Sequence, residues 1–127
     1  RSIAADDFFV SLYETALKDG EIVTSVLFPV PDKAGWSKFA NLASRFAIVA
    51  VMVSSQGGAV RVAVTGAKEC VFRVSEMEQA LSDDFSPGAI EGINVAADNL
   101  NDDHYADAEY RAHLITVMAK RAVAACS

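Results

Sequence analysis

The clearest alternation of apolar and polar positions lies in Ser44–Gly66, SRFAIVAVMVSSQGGAVRVAVTG. It holds two β-rich apolar runs, Phe46–Val53 and Val60–Val64, with Gln56-Gly57-Gly58 between them. Val and Ile favour a pleated, half-buried surface, and paired glycines supply the positive φ of a tight turn. The spacing predicts an antiparallel hairpin. Its first strand is apolar on both faces, which predicts an inner strand covered on both sides. In the second, Val60, Val62 and Val64 share one face, and Arg61, Ala63 and Thr65 the other.

Upstream, Phe8, Phe9, Leu12 and Tyr13 fall near helical spacing and predict a short helical or irregular segment that buries its aromatics. Gly20 breaks the chain. Glu21–Phe28, EIVTSVLF, reads as a strand ended by Pro29 and Pro31, because proline offers no donor to a ladder. Asp32–Gly35 reads as a turn, and Trp36–Leu42 as a strand or one helical turn leading into the hairpin.

Downstream, Val71–Val74 reads as a further strand. Ser75 and Glu78 have the spacing of a capping box opening a helix with Met77, Ala80 and Leu81 on its apolar face. Ala89–Ala97 reads as a second short helix and Asp98–His104 as a polar turn. Asp107–Ala125 reads as the longest helix, with Tyr110, Leu114, Val117, Met118 and Arg121 at 3–4 spacing. Strands followed by three helices predict an α+β fold: an antiparallel sheet of three to four strands packed against three helices.

Composition narrows the class. The chain has 127 residues, of which 52% are hydrophobic, enough for one domain (1–127) with a buried core. A net charge of −6 opposes binding to nucleic acid or an anionic membrane surface. No apolar run approaches the roughly 20 residues of a bilayer span, so no membrane insertion is expected. No signal peptide is visible. The two cysteines, Cys70 and Cys126, read as free thiols in a reducing cytoplasm, with Cys126 exposed or disordered near the end of the chain. The opening Arg-Ser-Ile, in place of Met, is expected of a processed subunit or of a piece of something longer.

Candidate chemistry is sparse. Gly57-Gly58 has neither a following helix nor a lysine, so it fits a hairpin turn better than a phosphate loop. Asp98, Asp102, Asp103, His104 and Asp107 are metal-ligand types, yet their spacing matches no EF-hand and suits solvated loops and helix caps. His113, near Glu109 and Arg111, reads as a hydrogen-bonding group in the helix–sheet packing. Ser44 lacks the G-x-S-x-G setting of a nucleophile. No catalytic and no metal-binding residues are expected.

Several strings in order share one likeness. They are Phe8-Phe9 with Tyr13-x-Thr15-Ala16-Leu17, Gly20-Glu21-Ile22-Val23-Thr24 running to Pro29-Val30-Pro31, and Lys38-Phe39 with Ser44-Arg45-Phe46-Ala47-Ile48-Val49. Val60-Arg61-Val62-Ala63-Val64-Thr65-Gly66-Ala67 and Asp102-Asp103-His104 with Glu109-Tyr110-Arg111-x-His113-Leu114 complete the set. Together they resemble the C-terminal domain of the FAD-binding medium subunit of molybdenum hydroxylases, the family of carbon monoxide dehydrogenase and bacterial xanthine dehydrogenase. The likeness covers nearly the whole chain.

The resemblance implies an α+β sandwich. It also implies N-terminal FAD-binding domains of the same subunit, a molybdopterin-containing large subunit and an iron–sulfur small subunit as partners. Electrons would pass from iron–sulfur clusters to FAD. The C-terminal domain would close one side of the flavin site and pack the subunit. Val23 would lie beside the flavin through its backbone, and Lys38 and Arg45 would supply positive charge near the isoalloxazine. Animal relatives carry their lysine at the position of Asn41, so Lys38 as a solvated surface lysine and Arg45 as a structural donor stay open as alternatives. The isolated domain is expected to be inactive and to bind no cofactor. A different class of function is a stand-alone dimerisation or interaction module without a redox role, with the fragment as a homodimer.

Overall fold

The structure, a computed structural model, describes residues 1–126. Its centre is a four-stranded antiparallel sheet made of β3 (Lys33–Ala40), β4 (Ala47–Gln56), β5 (Ala59–Thr65) and β6 (Phe72–Arg73), in that spatial order. Every strand therefore pairs with its neighbour in sequence. Ahead of it lie a 3-10 turn, Ala5–Asp7, and a small hairpin of β1 (Phe9–Ser11) and β2 (Glu14–Thr15). Behind it come α1 (Ser75–Asp83), a 3-10 turn at Pro87–Ile90, and α2 (Ala108–Ala124). The expected α+β fold is present, with two α-helices and a 3-10 turn where three helices were expected.

The central hairpin follows the pattern of its sequence. Gly57 and Gly58 take φ of 57° and 84° and join Gln56 to its cross-strand partner Ala59 in a two-residue turn. Val60, Val62 and Val64 are buried and Arg61 and Thr65 exposed. Both helices pack on the same side, α2 over β3 and β4 and α1 over β5. Val49, Val51, Val53, Val62 and Val64 meet Met77, Leu81, Ile115 and Met118 in a core without solvent access.

Gly35 permits the close approach of α2. A Cβ there would stand 2.0 Å from the Ala122 carbonyl oxygen. Lys33, Ala34 and Gly35 are consequently part of β3, and the expected turn shrinks to a bend at Asp32. β4 is covered on its second face only in part: Ala50 is fully buried there, but its neighbours on that face are not. Trp36, Lys38 and Met52 lie on this second face, on which no element packs extensively, and Met52 is 36% exposed.

Four further expectations give way to the structure. Glu21–Phe28 forms no strand: residues 22–31 make no backbone–backbone hydrogen bond, because no sheet edge lies alongside them among the described residues. The aromatics near the N-terminus are not buried: Phe9 sits in β1, Tyr13 turns the hairpin at φ 59°, and Tyr13 is 100% exposed. Ala89–Ala97 is not a helix. Beyond Ile90 the chain runs irregularly across α2, where Thr116 Oγ1 donates to the Ile93 carbonyl at 2.9 Å.

The capping box does not form either. Ser75 is the first helical residue, and Val74 occupies the cap without a side-chain bond. Glu78 turns instead to the sheet. Its Oε1 accepts from the Val62 amide at 2.9 Å and from Arg73 Nε at 2.7 Å. Burial alone would raise the Glu78 carboxyl; the Arg73 guanidinium and the Val62 amide outweigh it and hold the group below its ordinary value.

Candidate functional site

Lys38 lies on β3, on the face away from the helices, directly across from the buried Ala50. Its ammonium reaches the end of the β3–β4 connection and donates to the Arg45 carbonyl at 3.3 Å. That connection is built on Asn41. The Asn41 side-chain oxygen accepts from the amides of Ala43 (2.8 Å) and Ser44 (3.1 Å). Its backbone closes the loop by accepting from Arg45 N at 2.9 Å and donating to Phe46 O at 2.8 Å. Arg45 takes φ of 64°, the left-handed conformation, to turn the chain into β4.

Neither Lys38 nor Arg45 forms an ion pair among the described residues. Lys38 thus meets the backbone of Arg45 at the end of this sheet face, in a protein of net charge −6. The exposed Trp36 lies two residues along the same face from Lys38. Val23, the third expected residue, is half exposed in the unpaired segment, and no hydrogen bond ties that segment to Lys38 or Arg45.

The other side of β3 carries a separate open recess of about 480 Å³. Phe39, Leu42, Ile48 and Tyr105 form its apolar lining. Phe39 stands edge-on to Tyr110, with ring centroids 6.1 Å apart. Lys38 and Arg45 do not line this recess.

The remaining candidate residues have structural roles. No group of three or more His, Cys, Asp or Glu among the described residues is placed to hold a metal. Asp107 caps α2 by accepting from Tyr110 N at 2.7 Å. Asp103 accepts from the Tyr105 and Ala106 amides and pairs with Arg111 at 2.8 Å, contacts that lower its carboxyl. Ser44 Oγ accepts from Phe46 N. His113 is exposed beside Glu109 and Asn94 and makes no hydrogen bond among the described residues, contrary to the packing role expected of it. Cys126 is half-buried, neither exposed nor disordered; its thiol donates to the Ala122 carbonyl at 3.3 Å, and burial pushes its pKa up.

Within the Glu109–Leu114 string, one residue is buried and charged. Arg111, 3% exposed, donates from Nη1 to the carbonyls of Ile48 (2.7 Å) and Gly66 (3.1 Å), and from Nε to that of Ala106 (3.2 Å). Ile48 is the extra residue of a β-bulge, since Phe39 pairs with Val49 and Ala40 with Ala47. Gly66 has φ of 85°, and a Cβ there would meet the Ala47 carbonyl at 2.5 Å. Arg111 therefore anchors α2 to the end of the sheet where Lys38 and Arg45 meet.

No family model matches the chain. It is 35% identical over 133 residues to the nicotine 6-hydroxylase medium subunit of Paenarthrobacter nicotinovorans, a match covering 97% of this chain and 47% of that protein. The reconstituted CO dehydrogenase of Oligotropha carboxidovorans superposes with a TM-score of 0.75 at 24% identity, over 98% of this chain and 49% of that one. The cyanide-inactivated form of a Cu,Mo-CO dehydrogenase gives a TM-score of 0.72 at 26% identity, over 98% and 48%. The chain spans about half the length of the relatives it matches.

Proposed function

We propose, from the premise that this chain belongs to the molybdenum-hydroxylase medium-subunit family as its C-terminal domain, that it closes one side of a flavin site in a longer subunit. The observation that carries this reading is Lys38, a cation without an ion pair that reaches the backbone of Arg45 on the sheet face that also carries the exposed Trp36.

That arrangement suits the ring end of FAD. When bound, the flavin takes up electrons and its reduced ring carries negative charge, which nearby cations stabilise. Lys38 would hold its ammonium toward that charge, anchored by the Arg45 carbonyl. Arg45 would add a second positive charge from the loop that Asn41 shapes. Val23 would offer backbone groups from the segment after Glu21. The described residues hold no glycine-rich loop at a helix start for a pyrophosphate, so FAD would be held mainly by the N-terminal domains of the subunit.

The same reading supplies the partners. Electrons would arrive from iron–sulfur clusters of a small subunit, after oxidation of a substrate at the molybdopterin of a large subunit. No helix of the described residues is long and apolar enough to cross a membrane. The proposed compartment is the cytoplasm. By itself the domain would be inactive and would bind no FAD.

The test is purification from the native host through a tag on the C-terminus of the gene product. A yellow-brown complex with molybdenum, iron and FAD, and one larger and one smaller partner, is the expected result. A colourless protein running at its own 13.5 kDa, or as a dimer of that mass, would overturn the proposal and favour an interaction module.

A further inference from the structure

The chain between Glu21 and Asp32 is fixed at both ends and unpaired between them. Glu21 N donates to the Lys18 carbonyl, and its carboxylate is gripped by Arg1 at 2.7 Å. At the other end Asp32 N donates to Ser55 O at 2.7 Å, and Gln56 donates to the Val30 carbonyl. From Ile22 to Phe28 no backbone group finds a backbone partner. Ile22, Val23, Val26, Leu27 and Phe28 are all exposed, Leu27 at 95% and Phe28 at 80%.

This stretch has the composition of a sheet strand. It is β-branched or apolar at most positions, carries no charge between Glu21 and Asp32, and stops at Pro29. At about 3.3 Å per residue, Ile22–Phe28 spans roughly 23 Å, the length of an ordinary strand. Left free, an uncharged apolar strand with open hydrogen-bonding groups invites aggregation, and folded proteins cover such edges. The relatives are about twice as long as this chain, so about half of their length lies outside the matched region and is available to supply such a cover.

We infer that Ile22–Phe28 is a donated strand: it pairs along the open edge of a β-sheet in the part of the medium subunit that lies outside these 127 residues. The inference rests on the proposal that the chain is the C-terminal domain of such a subunit. Main-chain pairing supplies the attraction, and the side chains alternate between the two faces of the joint sheet. Ile22, Thr24, Val26 and Phe28 fall on one face, Val23, Ser25 and Leu27 on the other. Because Val23 is part of this strand, the pairing would also fix its backbone near the proposed flavin.

The experiment is amide hydrogen exchange on the subunit isolated from the native host, alone and in its complex, with flavin content read from the visible spectrum. Alternate amides of Ile22–Phe28 should exchange at least about a hundredfold more slowly than an unpaired chain in the isolated subunit already, with β4 and α2 as the folded control. Free-chain exchange with β4 and α2 protected would overturn the inference. Protection that arises only when the other subunits are added would also overturn it, since the occupant would then be another chain. Thr24→Pro and Thr24→Val separate backbone from side chain: T24P should abolish the protection and T24V should keep it. Protected amides in a colourless subunit would keep the donated strand and remove the flavin reading, whereas bound flavin over unprotected amides would do the reverse.

Discussion

The guanidinium of Arg111, on α2, donates to the Ile48 carbonyl at 2.7 Å, across 63 positions of sequence. The carbonyl it satisfies belongs to the extra residue of a bulge, which the β3–β4 ladder leaves unpaired. One side chain thus serves three carbonyls and a carboxylate at the place where helix, bulge and loop converge.

Arg111→Ala should therefore cost about 2–4 kcal/mol of stability, because several buried acceptors lose their donor at once. Arg111→Lys should recover only part of it, since an ammonium cannot reproduce the fork. Urea denaturation followed by circular dichroism measures both; a loss below about 0.5 kcal/mol for R111A would contradict the role, being the size of an ordinary surface change.

Gly35→Ala should destabilise by about 2–3 kcal/mol through overpacking, since the new methyl meets the Ala122 backbone first and the Cys126 sulfur next. Gly57→Ala, at a turn with open space but positive φ, should cost less, about 1 kcal/mol. The order of the two thermal midpoints is the measurement.

Glu78 makes stability depend on pH. Its folded pKa lies below its unfolded value near 4.5, so its contribution is fully present above pH 4.5 and is lost as the pH falls through the lower folded value. Glu78→Gln should lower stability at neutral pH and flatten the acid limb of the stability profile. Equal acid limbs for the two proteins would show that another carboxylate governs it. Glu21, drawn down to about 2 by Arg1, sits at the surface with its side chain one-third exposed, where solvent screens the pair, and Glu21→Gln should change the profile far less.

Lys38→Ala should leave the fold unchanged, because Lys38 is exposed and its single bond is to the Arg45 carbonyl. In the flavin-loaded subunit it should make the flavin potential more negative, by roughly 20 mV for a two-electron couple if the lost interaction is about 1 kcal/mol. Arg45→Ala should act in the same direction. Spectroelectrochemical titration reads the shift, and an unmoved potential in both variants would return them to the role of surface cations.

Legibility in the sequence followed where each element finds its partner. The Gly57-Gly58 hairpin and α2 were readable because their turn residues and apolar spacing lie within the element. Glu21–Phe28 has the composition of a strand, but Ile22–Phe28 finds no backbone partner among the described residues, and composition alone carries no sign of that. The capping box failed because Glu78 had a stronger use, a buried amide and a guanidinium on neighbouring strands. Arg111 stands inside a recognisable string, but two of its four acceptors lie 45 and 63 positions away, and local spacing carries no sign of those. Lys38 and Arg45, named by likeness alone, share one side chain-to-backbone hydrogen bond, and Val23 is hydrogen-bonded to neither.

The strand order β3-β4-β5-β6 repeats the order of the chain. Sheet assembly from Lys33 to Arg73 then needs only short loop closures, which are entropically cheap and fast. α2 is different: it must return from Ala108 to lie on β3 and β4. The slow event in folding is expected to be that return, so substitutions at the α2–β3 contact, such as Gly35→Ala, should slow refolding more than substitutions in the hairpin turn.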